Sequence, residues 1–165
     1  MRPEEFQELP EGFKVWADVD SLSPSVRKVI LRATRKYGFQ TIFVANREIS
    51  GGENTQGFFM VVCPPSEGAA DDFIASKCDA NSLVVTRDLP FAKRVMDLGV
   101  PVMNDRGTLF DEKKLARMLE ERDLHLQMAA LGLSKSARAS SGLNGDMVHK
   151  FTDTFYGFLR QKGLV

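Results

Sequence analysis

A chain of 165 residues and 18.4 kDa suits one domain around one core. With 43% hydrophobic and 27% charged residues it is ordinary for a globular protein, which excludes disordered, collagen-like and mucin-like classes. Lys plus Arg number 22 against 22 Asp plus Glu, so the net charge is zero; a strongly basic, nucleic-acid-coating protein is excluded and only a local basic rim is left.

The first strand is predicted from Lys14 to Ala17, running into Asp18. A helix follows with Ser23 as N-cap and Pro24 at its first position; Val26, Val29, Ile30, Ala33 and Tyr37 fall in helical spacing before Gly38 stops it. Thr41 to Ala45 and Phe58 to Val62 are β-branched and aromatic strands, separated by a flexible stretch over 50–57. Ala69 to Cys78 reads as a helix, Leu83 to Thr86 as a fourth strand, Pro90 to Leu98 as a helix closed by Gly99, and Val100 to Met103 as a short fifth strand. Asp111 caps a long helix with Leu115, Met118, Leu119, Leu126 and Leu131 as its apolar positions. A Ser-, Gly- and Ala-rich loop over 134–145 leads to a last helix, about Asp146 to Arg160, with Val148, Phe151, Phe155, Phe158 and Leu159 as its buried stripe. Strands alternating with helical crossovers predict an α/β fold on a mainly parallel sheet of about five strands. One domain spans 1–165, with a core over about 14–131 and a C-terminal loop and helix over about 132–165.

In open parallel sheets ligands bind at the carboxyl ends of the strands. Four of the five predicted ends are polar there: Asp18 and Asp20; Asn46 and Arg47; Arg87 and Asp88; Asn104, Asp105 and Arg106. No Gly-rich phosphate loop accompanies them. Asp18 and Asp20, alternating on an extended segment, project to one side and share a hard cation such as Mg²⁺ or Mn²⁺; this outweighs the ordinary preference of Asp for loops. Asp71 and Asp72 open a helix, where carboxylates also suit the helix dipole; Asp71 lies on the side of Ile74, Ala75 and Cys78 and is the inward acid, with Asp72 its neighbour. Asp88 serves both as a cap and as a site acid. Arg47, Arg87 and Arg106 either brace the loops or pair with substrate phosphate. His125 and His149 are assigned no role. Cys63 and Cys78 have neither metal-ligand nor redox spacing. The N-terminal segment has no apolar core of a signal peptide, and no run of roughly 18 apolar residues occurs, so a cytoplasmic protein without a membrane span is expected.

VWADVD at 15–20, FVANR at 43–47, AADDFI at 69–74, LVVTRDLPFAKRV at 83–95 and N-D-R-G at 104–107 together resemble the YaiI/YqxD family, bacterial proteins related to PIN-like metal-dependent nucleases. The likeness covers roughly 14–125, and the segment 134–165 matches only loosely. The family's first motif resembles D-A-D-A-C-P, whereas this chain keeps both acids but has Leu22 and Ser23 in place of the Cys and Pro. The resemblance implies a three-layer PIN-like, Rossmannoid fold. It also implies one or two Mg²⁺ or Mn²⁺ ions on Asp18, Asp20, Asp71, Asp72 and Asp88, supported by Asn46 and Asn104, and phosphodiester hydrolysis, with RNA or another single-stranded nucleic acid as partner. Asp18, Asp20, Asp71 and Asp88 are then the catalytic carboxylates.

Two other classes compete. A haloacid-dehalogenase-like phosphatase would use Asp18 as nucleophile, but such enzymes place a Lys and a late acidic pair after the fourth strand, and here Asp71-Asp72 precedes it. A non-catalytic RNA-binding or regulatory module would use a basic rim of Arg27, Lys28, Arg32, Arg35 and Lys36 on the first helix, a run that also reads as a solvated face.

Overall fold

The computed structural model describes residues 1–48, 57–133 and 145–165. The loops expected over 50–57 and 134–145 fall, apart from Gly57 and Gly145, outside the described residues. Five strands, β1 (Lys14–Asp18), β2 (Gln40–Ala45), β3 (Phe58–Val62), β4 (Ser82–Val85) and β5 (Val102–Met103), form one parallel sheet in the order β3-β2-β1-β4-β5. The helices α1 (Pro24–Tyr37), α2 (Ala69–Lys77), α3 (Leu89–Asp97), α4 (Glu112–Ala130) and α5 (Gly145–Gln161) cover its two faces, giving a three-layer α/β architecture of Rossmann-like type. Among the described residues no helix is long and apolar enough to cross a membrane.

Strand alternation decides which helices lie where. Val15 and Ala17 of β1, with Phe43, Met60, Leu83 and Val85, face α1 and α5; Trp16, with Ile42, Val44, Val61 and Val84, faces α2, α3 and α4. Both faces of the sheet are therefore buried, and the strands read as continuous apolar runs rather than as half-polar ones. The segment ahead of β1 adds to the second face: Phe6 lies edge-on to Phe59 and Phe73, with its centroid 5.9 Å from that of Trp16.

The local signals set the helix ends. The Ser23 side chain accepts from the Val26 N–H at 3.3 Å, and Gly38 closes α1 in the left-handed conformation. Asp111 caps α4, accepting from the Lys114 N–H at 2.7 Å. In α5 the expected stripe is buried at Phe151, Phe155, Phe158 and Leu159.

Two expectations are corrected. The fifth strand is shorter than the apolar run over 100–103, because Pro101 has no N–H for the ladder; only its carbonyl is used, accepting from Val84 N–H. The apolar series of α4 also stops packing half-way. Leu115 is buried and Met118 and Leu119 are partly so, but Leu126 and Leu131 stand 54% and 73% exposed. The 19-residue α4 is about 28 Å long, whereas the 9-residue α3 on which it rests is about 13 Å, so its second half runs past its support.

The C-terminal helix docks on the turn after β5. The Thr154 hydroxyl donates to the Gly107 carbonyl at 2.8 Å. Gly107 has φ +83°, and a β-carbon there would stand 2.5 Å from the Lys150 carbonyl oxygen. Gly107→Ala combines backbone strain with a clash against main chain that has no rotamer to yield, so it should cost on the order of 3 kcal/mol. Urea denaturation of the variant checks this; a loss under about 1 kcal/mol contradicts the close docking of α5.

Candidate functional site

β1 is the central strand, hydrogen-bonded on both sides and buried at Val15, Trp16 and Ala17. Its last residue, Asp18, is half-buried at the carboxyl edge of the sheet. Asn46 follows β2, and its side-chain oxygen accepts from the Ala70 N–H at 3.1 Å. That bond ties the first turn of α2, with Asp71, to the same edge. Asp88 follows β4 and caps α3, accepting from the Phe91 N–H at 3.0 Å, so capping and a place at the edge coexist in one carboxylate.

Three of these carboxylates act on one another. Burial raises the Asp71 pKa to about 6, with repulsion from Asp88, Asp18 and Asp72 adding to it and Arg94 opposing. Asp71 accepts no hydrogen bond from a described residue, so Arg94 acts on it only through its charge. Burial also raises Asp18, and repulsion from Asp20 and Asp88 adds to it; the Ser21 hydroxyl, donating to Asp18 Oδ2 at 2.8 Å, works the other way. Asp18, Asp71 and Asp88 come from a strand end, a helix start and a loop, and their charges meet at one edge of the sheet.

The other two acids are paired off. Asp20 was expected to alternate with Asp18 on an extended segment, but the strand ends at Asp18 and Val19–Ser21 form a 3-10 turn, so strand alternation does not reach it. The Asp20 carboxylate instead accepts from Arg47 Nε at 3.0 Å. Asp72 is exposed and accepts from Arg94 Nη1 at 2.7 Å, while Asp71 is the more inward of the pair. Among the described residues no group of three or more His, Cys, Asp or Glu stands in a metal-holding arrangement. The donor chemistry of Asp18, Asp71 and Asp88, all oxygen and all anionic, is nevertheless of the kind hard divalent ions take.

The remaining flagged residues mostly brace the loops. Arg87 grips the fully buried Asp105 through Nη2 at 2.6 Å and Nε at 3.3 Å. Asn104 accepts from the N–H groups of Arg106 and Thr108 at 3.0 and 2.9 Å, shaping its own turn; Arg106 is exposed. His125 is exposed on α4, and His149 is exposed beside Asp153 on α5. Sequence reasoning missed Ser21, Arg94 and a bracing role for Asp105. Ser21, three residues after Asp18, had a turn signal. Arg94 and Asp105 depend on contacts across 22 and 18 residues that no local pattern announces.

A family model described as "Uncharacterized BCR, YaiI/YqxD family" matches residues 16–161. A UPF0178 protein of Treponema denticola is 36% identical over 129 residues, 78% of this chain and 81% of that one. Its counterpart in Treponema pallidum is 34% identical over 128 residues, 78% and 72% of the two chains. One from Shewanella woodyi is 30% identical over 129 residues, 78% and 85%. No solved structure matches the chain.

The raised Asp71 pKa gives a pH dependence in metal-free protein. Between 3.8 and about 6 the folded chain keeps a proton that the unfolded chain has lost, so this group's contribution to stability falls as pH rises through that window. In EDTA, Asp71→Asn should therefore melt about 2 °C above wild type near pH 8 and show a shallower decline between about pH 4 and 7, the gain being small because the group is partly solvated. Melting curves across that range check it; a variant that melts lower near pH 8 with an unchanged slope contradicts the crowding.

Proposed function

This chain belongs to the YaiI/YqxD family, and from that premise we propose that it is a divalent-cation-dependent phosphodiesterase acting on RNA, with Asp18, Asp71 and Asp88 as its acidic centre and Mg²⁺ or Mn²⁺ as its cofactor. The observation that carries the reading is the placement of these carboxylates at one edge of the sheet, Asp18 ending β1, Asp88 following β4 and Asp71 in the turn of α2 that Asn46 ties down, where their charges raise the pKa of Asp18 and Asp71. Like charges held that close are relieved by a proton or by a cation. The resemblance of the sequence motifs to those of PIN-like nucleases supports the second outcome, and the fold class agrees with it.

Each residue has a defined task. Asp18, Asp71 and Asp88 would hold the ion, which when bound would supply Lewis acidity for phosphodiester hydrolysis. Ser21 fixes the carboxylate of Asp18 through Oδ2. The Phe91 N–H holds Asp88 Oδ1 and so sets the direction of that carboxylate. Asn46 keeps the first turn of α2, and with it Asp71, against β2. His125, exposed on α4, and His149, exposed beside Asp153 on α5, are given no task.

The phosphatase alternative is disfavoured by a specific feature. Asp71 and Asp72 open α2, ahead of β4, whereas enzymes of the haloacid-dehalogenase type place a lysine and a late acidic pair after the fourth strand.

Millimolar Mn²⁺ should raise the melting temperature of the wild type and of His125→Ala alike, and should do little for Asp18→Asn, which is nearly isosteric but lacks the charge. Asp18→Asn should also lose divalent-dependent cleavage of single-stranded RNA by at least about a hundredfold, with circular dichroism unchanged and His125→Ala as active as wild type. Cleavage that survives EDTA or Asp18→Asn removes the assignment. Binding of RNA without cleavage by any divalent ion selects the non-catalytic module instead.

A further inference from the structure

Arginines surround the acidic centre, and their partners sort them into two kinds. Arg87 makes two hydrogen bonds to Asp105, whose side chain is fully buried, so releasing it would strand a buried carboxylate. It is a strut. Arg47 and Arg94 differ: Arg47 is 73% exposed and pairs with Asp20, and Arg94 is 51% exposed and pairs with Asp72, itself 70% exposed. Ion pairs this open to water contribute little, so either guanidinium exchanges a carboxylate for another anion at small cost. The two also come from elements on opposite sides of β1 in the sheet. In the sheet order Arg47 follows β2 on one side of β1, while Arg94 lies on α3, which follows β4 on the other. Arg94 is close enough to act on Asp71.

We propose that Arg47 and Arg94 are the phosphate grips of this site, holding the backbone of single-stranded RNA on both sides of the acidic centre, and that Asp20 and Asp72 hold these guanidiniums in place in the free protein rather than serving as metal ligands. The substrate class rests on the phosphodiesterase reading. A guanidinium presents paired N–H donors that match a phosphate in a fork geometry, whereas the carboxylates at the centre repel the same backbone. A strand is thus held at its flanking phosphates.

Fluorescence anisotropy with a labelled single-stranded oligoribonucleotide of about twelve nucleotides, titrated in EDTA at low salt, tests the grips without cleavage. Arg47→Gln and Arg94→Gln should each weaken binding about fivefold and lower the salt slope by about 0.7. Lys93→Gln, on the same helix as Arg94 but paired with Asp97, should stay within about twofold of wild type. Arginine variants that bind like wild type, a Lys93→Gln loss as large as that of Arg94→Gln, or a wild type that binds no oligonucleotide would each overturn the proposal. Cleavage with Mn²⁺, measured on the same proteins, separates the two readings. If wild type cleaves and the arginine variants bind normally, the grips fall and the phosphodiesterase stands; if the variants lose binding and wild type never cleaves, the grips stand and the phosphodiesterase falls.

Discussion

Asp18 sits at the end of the strand that can least accommodate it. β1 is paired to β2 and β4 along its length, and its Val15, Trp16 and Ala17 are buried against helices on both faces. Such a strand presents polarity only at its terminus. The carboxylate there is half out of water, and Asp71 and Asp88 are brought to it by elements anchored elsewhere: α2 through Asn46, and α3 through the capping bond of Asp88. The site is the consequence of a well-made core ending abruptly in acid.

Anchoring the loops takes as many residues as the acidic centre itself. Arg87, immediately before Asp88, is fixed to Asp105 in the turn after β5. That turn is shaped by Asn104 and closed by Gly107, and α5 docks on Gly107 through Thr154 and the Lys150 main chain. A continuous path of contacts therefore runs from the C-terminal helix to the residue beside a site carboxylate. The N-D-R-G segment, which resembles its family as a site motif, acts here mainly as a keystone between β4, β5 and α5.

Charge is distributed on the same principle of local compensation. The chain as a whole is neutral, yet the carboxyl edge of the sheet concentrates acids, and the outer two, Asp20 and Asp72, each hold an exposed arginine. The inner three have no such partners among the described residues apart from the opposing field of Arg94.

The alternation of apolar strands with capped helices was legible because each signal is local: Ser23 and Gly38 bound α1, Asp111 opens α4, and the phenylalanines of α5 recur at helical spacing. The gathering of polar residues at the carboxyl edge was legible too, since parallel strands must all end there. What local pattern could not decide is which of those residues meet. Asp20 left the strand for a 3-10 turn and joined Arg47; Arg87 found Asp105 rather than solvent; Leu126 and Leu131, apolar and regularly spaced, stayed exposed because α4 outruns α3. By itself the sequence determined the element order, the buried stripes and the acidic character of one edge, because backbone hydrogen bonding and hydrophobic period act between near neighbours. Only the tertiary structure decided that Asp20 pairs with Arg47 and Asp72 with Arg94 while Asp18 and Asp71 feel their acidic neighbours, because side-chain pairing depends on distances across the fold that no local spacing encodes.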